Sequence, residues 1–419
     1  MRVLWFTNTS SLYEQGNHGY NGGGWISSLE ELVQKEEGIE LAVSFFHIAD
    51  SKKAIRNGTC YYPVLKPTGK KSPLKTLINN WLGKNESEKY INRLIDVIED
   101  FKPDVIHVFG TEGIFGLIQK RIEIPVVIHI QGLLNPIVQN YFPQGKSHKD
   151  FLFDRKFIVK NIFGKGVYFS FKRLRNQAKR ELEHLKNSSF IMGRTCWDKE
   201  ITRLYSPSSH YFHVDEVLRP PFYVTHTRKK NVENTIEVVS TISSSIYKGI
   251  DVILRTALLL IENTDLKINW KVIGINKDDL LLSYFEQQLN INHKDVGIEC
   301  LGAKNELELI SILSESDIFV HPSYIDNSPN SICEAQLMGL PVIASHVGGI
   351  PSIIEDKNTG ILVPSNGSYE IVSVLIDFSN NPEKYRLIGL NAKVCAERRH
   401  DRAKILSDLK EVYRRLTGK

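Results

Sequence analysis

A chain of 419 residues, 42% hydrophobic and 24% charged, has globular composition and room for two domains, which excludes disordered and fibrous architectures. The net charge of +5 is unevenly placed: residues 151–187 hold ten Lys/Arg against Asp154, Glu181 and Glu183, a local +7 that leaves −2 for the rest. Nucleic-acid binders are basic more broadly, so no nucleic-acid partner is expected. Five scattered cysteines with no CxxC pair indicate neither a disulfide framework nor a zinc site. The opening Met1-Arg2-Val3-Leu4-Trp5-Phe6 is too short for a signal peptide, and no apolar run suits a membrane span. The expected location is cytoplasmic, extending to the inner face of the cell membrane.

Short apolar runs rich in Val, Ile and Phe predict strands in chain order at Arg2–Phe6, Leu41–Phe46, Asp104–Phe109, Pro125–Ile130 and Phe190–Met192. A second series follows at Ile236–Thr241, Ile268–Ile273, Ile298–Leu301, Asp317–His321, Pro341–Ala344 and Ile361–Val363. Helical spacing lies between them, weakly at Leu29, Leu32 and Val33, and clearly at Ile250, Ile253, Leu254, Ala257, Leu258 and Ile261. Ile405, Leu409, Val412 and Leu416 predict a last amphipathic helix. Alternating strands and helices in two series predict an α/β fold of two facing Rossmann-like domains with an interdomain cleft. Pro220-Pro221 and Arg228-Lys229-Lys230 place the boundary at 225/226. The expected domains are 1–225 plus 401–419, and 226–400.

Ligands of open α/β sheets bind outside the carboxyl ends of the strands, so the loops there carry the chemistry. Gly22-Gly23-Gly24 follows the first strand; it lets a ligand approach the backbone closely, or is simply a flexible turn. Glu112, Gln131 and Arg194 each follow a predicted strand of the first series. His107 and His129 lie within strands and read as core histidines. Arg194 suits bidentate phosphate binding or an ion pair with Asp198. Ser243 to Lys248-Gly249 follows the first strand of the second series and opens a helix. A lysine there reaches a diphosphate as a point charge, or is an ordinary surface lysine.

The segment from His321 to Pro351 is the richest. Ser328 is predicted to cap a helix with Pro329 at its first position. Asp326 in the loop and Glu334 on the helix stand eight residues apart. The amides near Asn330 and Ser331 sit where a helix N-terminus favours an anion. Two carboxylates beside an anion site suit a sugar nucleotide; the bland alternative is a solvated Asp and a surface Glu. No DxD, HxH, HExxH or GxSxG motif occurs, so no metal ligands are assigned and a hydrolase is disfavoured.

Asp326-Asn327-Ser328-Pro329-Asn330-Ser331-Ile332-Cys333-Glu334-Ala335, followed by Gly339-Leu340-Pro341-Val342, resembles the E-x7-E signature of the family-4 retaining glycosyltransferases of the GT-B fold. The resemblance extends to the subgroup found in bacterial surface-polysaccharide assembly. It implies a retaining hexosyltransferase-type enzyme. Such an enzyme moves sugar from a UDP- or GDP-linked donor to a glycan or lipid-linked acceptor, with no metal or other cofactor. The implied pathways are capsule, O-antigen or exopolysaccharide synthesis. Lys248 then holds the donor diphosphate, Glu334 the ribose and Asp326 the sugar, with Gly302 near the base and Gly249, Asn330 and Ser331 completing the site. Gly22, Gly23, Gly24, Glu112, Gln131 and Arg194 face the acceptor.

Three departures stand out: Asp326 is one methylene shorter than the family's Glu, Ser243 replaces an arginine, and Gln131 stands where many relatives carry His. A non-catalytic phospholipid- or nucleotide-sugar-binding module and a nucleotide-sugar epimerase of the same fold stay open. The basic segment 151–187, with Phe163, Tyr168, Phe169 and Phe171 among its cations, suits peripheral contact with an anionic membrane or a solvated helix face.

Overall fold

The computed structural model describes residues 1–14, 24–48, 51–66, 73–82, 90–225 and 235–418. Gly22, Gly23 and the centre of the expected boundary at 226–234 lie outside them. The chain forms two compact units. Met1–Gln139, Ile158–Val217 and His400–Lys419 make the first; Asn140–Phe157 and Leu218–Arg399 make the second. The division therefore falls at 217/218 rather than at 225/226. The reason is packing: Leu218 and Phe222 lie in one apolar cluster with Phe319, Ile332 and Met338 of the second unit. The excursion 140–157 joins that unit because the rings of Phe151 and Phe157 pack on Tyr284 at 4.9 and 5.6 Å.

The first unit is an eight-stranded sheet of β1 (Arg2–Thr7), β2 (Glu40–His47), β3 (Ala54–Arg56), β4 (Thr59–Leu65), β5 (Val105–Phe109), β6 (Val126–His129), β7 (Phe190–Gly193) and β8 (His210–His213). Its order is β3-β4-β2-β1-β5-β6-β7-β8, parallel except for the β3–β4 hairpin. Side chains of β1 alternate between two covered faces. Val3 and Trp5 join Leu409, Val412 and Tyr413 of the Arg402–Thr417 helix on one face. Leu4 and Phe6 join Leu94, Ile98 and Phe101 of the Ile91–Phe101 helix on the other. Burial on both faces explains why these strands read as unbroken apolar runs.

His107 and His129 are core histidines, as expected, at 0% and 1% exposed. Burial drives the His107 pKa down to about 3 and that of His129 well below its usual value, so both are neutral. Their contacts form a chain of hydrogen bonds. Trp5 Nε1 donates to the Tyr413 hydroxyl at 2.9 Å. That hydroxyl lies 2.7 Å from His107 Nδ1, and His107 Nε2 lies 3.1 Å from His129 Nδ1, both at hydrogen-bonding distance. Tyr413→Phe leaves Trp5 and His107 without this partner and is expected to cost about 1–3 kcal/mol, read as a lower unfolding midpoint in urea. A midpoint equal to wild type would show that the chain adds nothing to stability.

The second unit is a six-stranded parallel sheet of β9 (Thr235–Thr241), β10 (Lys267–Ile273), β11 (Ile298–Gly302), β12 (Ile318–His321), β13 (Val342–Ser345) and β14 (Ile361–Val363). Its order is β11-β10-β9-β12-β13-β14. From β9 the chain winds outward through β10 and β11, then returns to β12 and winds the other way. The strand order reverses between β9 and β12, and the loops leaving these two strands flank a crevice. Lys248 follows β9, and Asp326 follows β12. In the first unit the same reversal falls between β1 and β5, ahead of Asn8 and Glu112.

Candidate active site

The β9 loop descends through a tight turn at Ile246–Lys248 into the Ile250–Asn263 helix. Gly249 makes that entry in the left-handed region, at φ 80°. A Cβ there would collide with the Pro322 carbonyl oxygen, so glycine is what lets the β9 and β12 loops touch. Tyr324 N–H donates to the Tyr247 carbonyl at 2.8 Å, and its hydroxyl donates to Asp251 at 2.7 Å. These two bonds tie the loops together on either side of Lys248.

Lys248 Nζ meets Asp326 Oδ2 at 2.6 Å. His321, the last residue of β12, donates from Nε2 to the same oxygen at 2.9 Å. The lysine and aspartate side chains are 19% and 15% exposed. Burial disfavours the Asp326 carboxylate, but Lys248 and His321 outweigh it and hold the group well below the usual carboxylate range. Burial likewise disfavours the Lys248 ammonium, yet Asp326 and Tyr247 leave its pKa above the ordinary value. Burial keeps the His321 pKa low against the pull of Asp326. The site thus holds a charged lysine and a charged aspartate beside a neutral histidine. From behind, Gly349 N–H donates to the Asp326 carbonyl at 3.1 Å, and Gly348, at φ 53°, has no room for a Cβ against that same carbonyl.

The helix after the loop runs Asn330–Met338. Pro329 is its N-cap residue, not its first helical residue, because its ψ of 119° is still extended. Ser328 is correspondingly one place too early to cap. Asn330 and Ser331 occupy the first turn and are half-buried. Glu334 faces Arg219, whose Nε and Nη2 lie 3.0 and 2.7 Å from Oε1. Burial raises the Glu334 pKa while Arg219 opposes the rise. Arg219 stacks on Phe222 at 4.7 Å and has Glu306 at 3.8 Å as a second carboxylate neighbour. Ser243 is exposed and donates to the Ser245 hydroxyl at 3.2 Å. Gly302 closes β11 at φ 66°, against Asn276.

The structure therefore brings Lys248, Gly249 and Asp326 together and gives Glu334 a cation of its own. Sequence reading missed His321 and Arg219 as site members. His321 had a signal, standing at a strand end five residues before Asp326. Arg219 had none, being 115 residues from its carboxylate.

The first-unit candidates are placed separately. Gly24 opens the Gly24–Val33 helix. Glu112 accepts from Asn8 Nδ2 at 3.1 Å across the reversal point, and burial pushes its pKa up, aided by Glu181. Gln131 is half-buried, and its carbonyl accepts from Arg194 Nη2 at 3.2 Å. Arg194 is only 5% exposed and is ion-paired with Glu216. Its carboxylate partner is thus Glu216. Asp198 instead completes the capping box of the Cys196–Tyr205 helix, whose N-cap is Thr195, and accepts from the Arg194 backbone N–H at 2.9 Å. Both carboxylates come from the first unit, so the arginine is structural there rather than open to a ligand.

Among the described residues, no group of three or more His, Cys, Asp or Glu is arranged to hold a metal ion. No helix of these residues is long and apolar enough to cross a membrane.

Residues 225–394 match the family model described as glycosyl transferases group 1. An uncharacterized glycosyltransferase of Methanocaldococcus jannaschii is 26% identical over 170 residues, covering 41% of this chain and 45% of that protein. The amylovoran biosynthesis glycosyltransferase AmsK of Erwinia amylovora is 28% identical over 125 residues, 28% of this chain and 31% of its own. The chain spans less than half the length of the curated relatives it matches. Among solved structures, sucrose-phosphate synthase of Thermosynechococcus elongatus has a TM-score of 0.73 at 14% identity, with 100% of this chain and 99% of that one covered. Anabaena HepE in complex with UDP-glucose has a TM-score of 0.63 at 14% identity, covering 98% and 99%. At such identities these likenesses establish the fold.

Proposed function

We propose that the protein is a retaining glycosyltransferase that takes a hexose from a UDP- or GDP-linked donor and passes it to a glycan or lipid-linked acceptor in surface-polysaccharide synthesis. One observation carries the reading: a charged lysine–aspartate pair sits on the two loops that flank the strand reversal of the unit matching the glycosyl transferase family. Lys248 is charged and partly exposed, so a diphosphate can replace Asp326 as its partner. Asp326, once released, can accept hydrogen bonds from sugar hydroxyls. Glu334 binds the ribose, and the amides at Asn330 and Ser331 add helix-terminus stabilisation of the phosphates. The bond from the anomeric carbon to the diphosphate breaks, and a bond to the acceptor oxygen forms on the same face. The acceptor proton passes to the departing phosphate oxygen. Lys248 stabilises the charge that develops there, and no step calls on a metal. Gly24, Glu112 and Gln131 of the first unit serve the acceptor; Arg194, already held by Glu216, is left out. The shorter Asp326 bears on which sugar is accepted.

The test is unfolding of the full chain with UDP, GDP, ADP and CMP in turn, followed by donor turnover with the sugars of whichever nucleotide binds. One nucleotide at about a hundred times its dissociation constant is expected to add about 2.7 kcal/mol. Stabilisation by none of them would sink the proposal. Stabilisation without transfer to any glycan or lipid acceptor would favour the binding module, and release or isomerisation of the sugar without an acceptor would favour the epimerase.

A further inference from the structure

The surface of the first unit carries a ridge that the donor chemistry does not use. The Pro73–Leu82 helix ends beside the short Ile158–Ile162 helix. Trp81 Nε1 donates to the Ile162 carbonyl at 3.0 Å, and Asn80 Nδ2 donates to the Phe163 carbonyl at 3.3 Å. Lys172, from the Val167–Lys186 helix, donates to the Trp81 carbonyl at 2.6 Å. Gly164 makes this seating possible, because a Cβ there would meet Asn80 Cβ at 2.8 Å. The backbone polar groups at the join are thus satisfied, and the apolar side chains are left outward. Ile78, Trp81, Ile158, Val159, Ile162 and Phe163 are each between 48% and 63% exposed. Six bulky apolar side chains held together at a helix junction are more than scattered surface hydrophobics.

Charge selects the occupant. From Ile158 to Arg180 there are seven Lys/Arg and no acidic residue. Lys160, Lys165, Arg175 and Lys179 are exposed. The next acid, Glu181, is fully buried and faces inward, accepting from Thr111 at 2.7 Å and from the Leu134 and Asn135 backbones at 2.9 and 3.0 Å. It does not neutralise the surface. A partner that is apolar inside and anionic at its edge fits a ridge that is apolar at its crest and cationic at its flanks. We propose that this ridge docks on an anionic lipid bilayer, with Trp81, Ile162 and Phe163 among the headgroups and Lys160, Lys165 and Arg175 on the phosphates. The docking is peripheral, and it stands independently of the glycosyltransferase reading.

The full chain would be sedimented with vesicles of phosphatidylcholine alone and with vesicles containing about 30% phosphatidylglycerol, at low and high salt. Wild type is expected to sediment with the anionic vesicles at least about tenfold more strongly, and to be released by salt. Lys160→Glu with Lys165→Glu, and separately Ile162→Glu with Phe163→Glu, are each expected to lose about tenfold. These side chains are exposed, so both variants should unfold at the wild-type temperature; if the apolar pair does not, Ile158→Ser with Val159→Ser replaces it. Wild type that ignores both vesicles overturns the proposal and leaves the ridge to a protein partner. Charge variants that bind as well as wild type overturn it too. An apolar variant that binds normally overturns the insertion and reduces the contact to surface charge.

Discussion

Lys248→Ala is expected to lower donor turnover by about 10²–10³-fold, the loss typical of removing one preorganised stabiliser of developing charge. The same variant should lose the stabilisation that a nucleotide diphosphate gives the wild type. Both effects follow from one position. Lys248 reaches the crevice from the β9 loop, its ammonium stays protonated, and 19% of the side chain is open. Without ligand the variant should also be less stable, by about 1–3 kcal/mol, because Asp326 keeps its charge with only His321 as a side-chain partner. Removing the aspartate as well should return part of that loss, so the double variant should be more stable than the two single losses predict, by about 1 kcal/mol or more. Lys248→Arg should not restore turnover, since a planar fork does not replace a compact ammonium. Turnover and urea unfolding with and without nucleotide read all of this. A Lys248→Ala protein that still gains stability from the nucleotide would place the diphosphate elsewhere.

Gly249→Ala should have the second-largest effect, although it removes no functional group. A left-handed backbone costs an alanine about 1–2 kcal/mol, and driving its methyl into the Pro322 carbonyl costs about 1–3 kcal/mol more. Relief is available only by separating the β9 turn from the β12 loop, and that separation moves Lys248 away from Asp326. Urea unfolding should show a loss of about 2–5 kcal/mol, together with weaker nucleotide binding. Wild-type stability and binding in this variant would mean that the two loops can part without consequence.

The buried parallel strands were legible because burial on both faces writes itself as apolar runs. All eleven expected strands fall within a residue of β1, β2, β5–β7 and β9–β14. What was missed, β3, β4 and β8, lies at the two ends of the first sheet. The β3–β4 hairpin lies at the sheet edge, yet its turn had a signal: Asn57-Gly58, with φ of 46° and 82°, supplies the two left-handed residues that a two-residue hairpin turn needs. Strand β8, reading His210-Tyr211-Phe212-His213, is only four residues long, with two aromatic residues between histidines. In the site, Lys248, Asp326 and Glu334 could be singled out because each belongs to a local spacing. The partners of Glu334 and Arg194 could not. Arg219 meets Glu334, and Glu216 takes Arg194, across 115 and 22 residues of chain, and only the fold brings such pairs together. The basic segment was visible as charge. That Glu181 turns inward, and that residues 73–82 supply two of the six side chains of the apolar crest, needed the packing.

The Trp5–Tyr413 bond joins residues 408 apart. During synthesis, β1 is therefore made long before the helix that seals one of its faces. Until Ile405, Leu409, Val412 and Tyr413 emerge, the side of the sheet that carries Val3, Trp5 and Val43 has only part of its cover, from Trp25, Leu29 and Val33 of the Gly24–Val33 helix. Leu218–Arg399 meets no such delay, because nearly all of its own unit is already in hand. The first sheet is thus begun before the second unit and completed after it. It is the nascent first sheet that a holding chaperone would have most reason to cover.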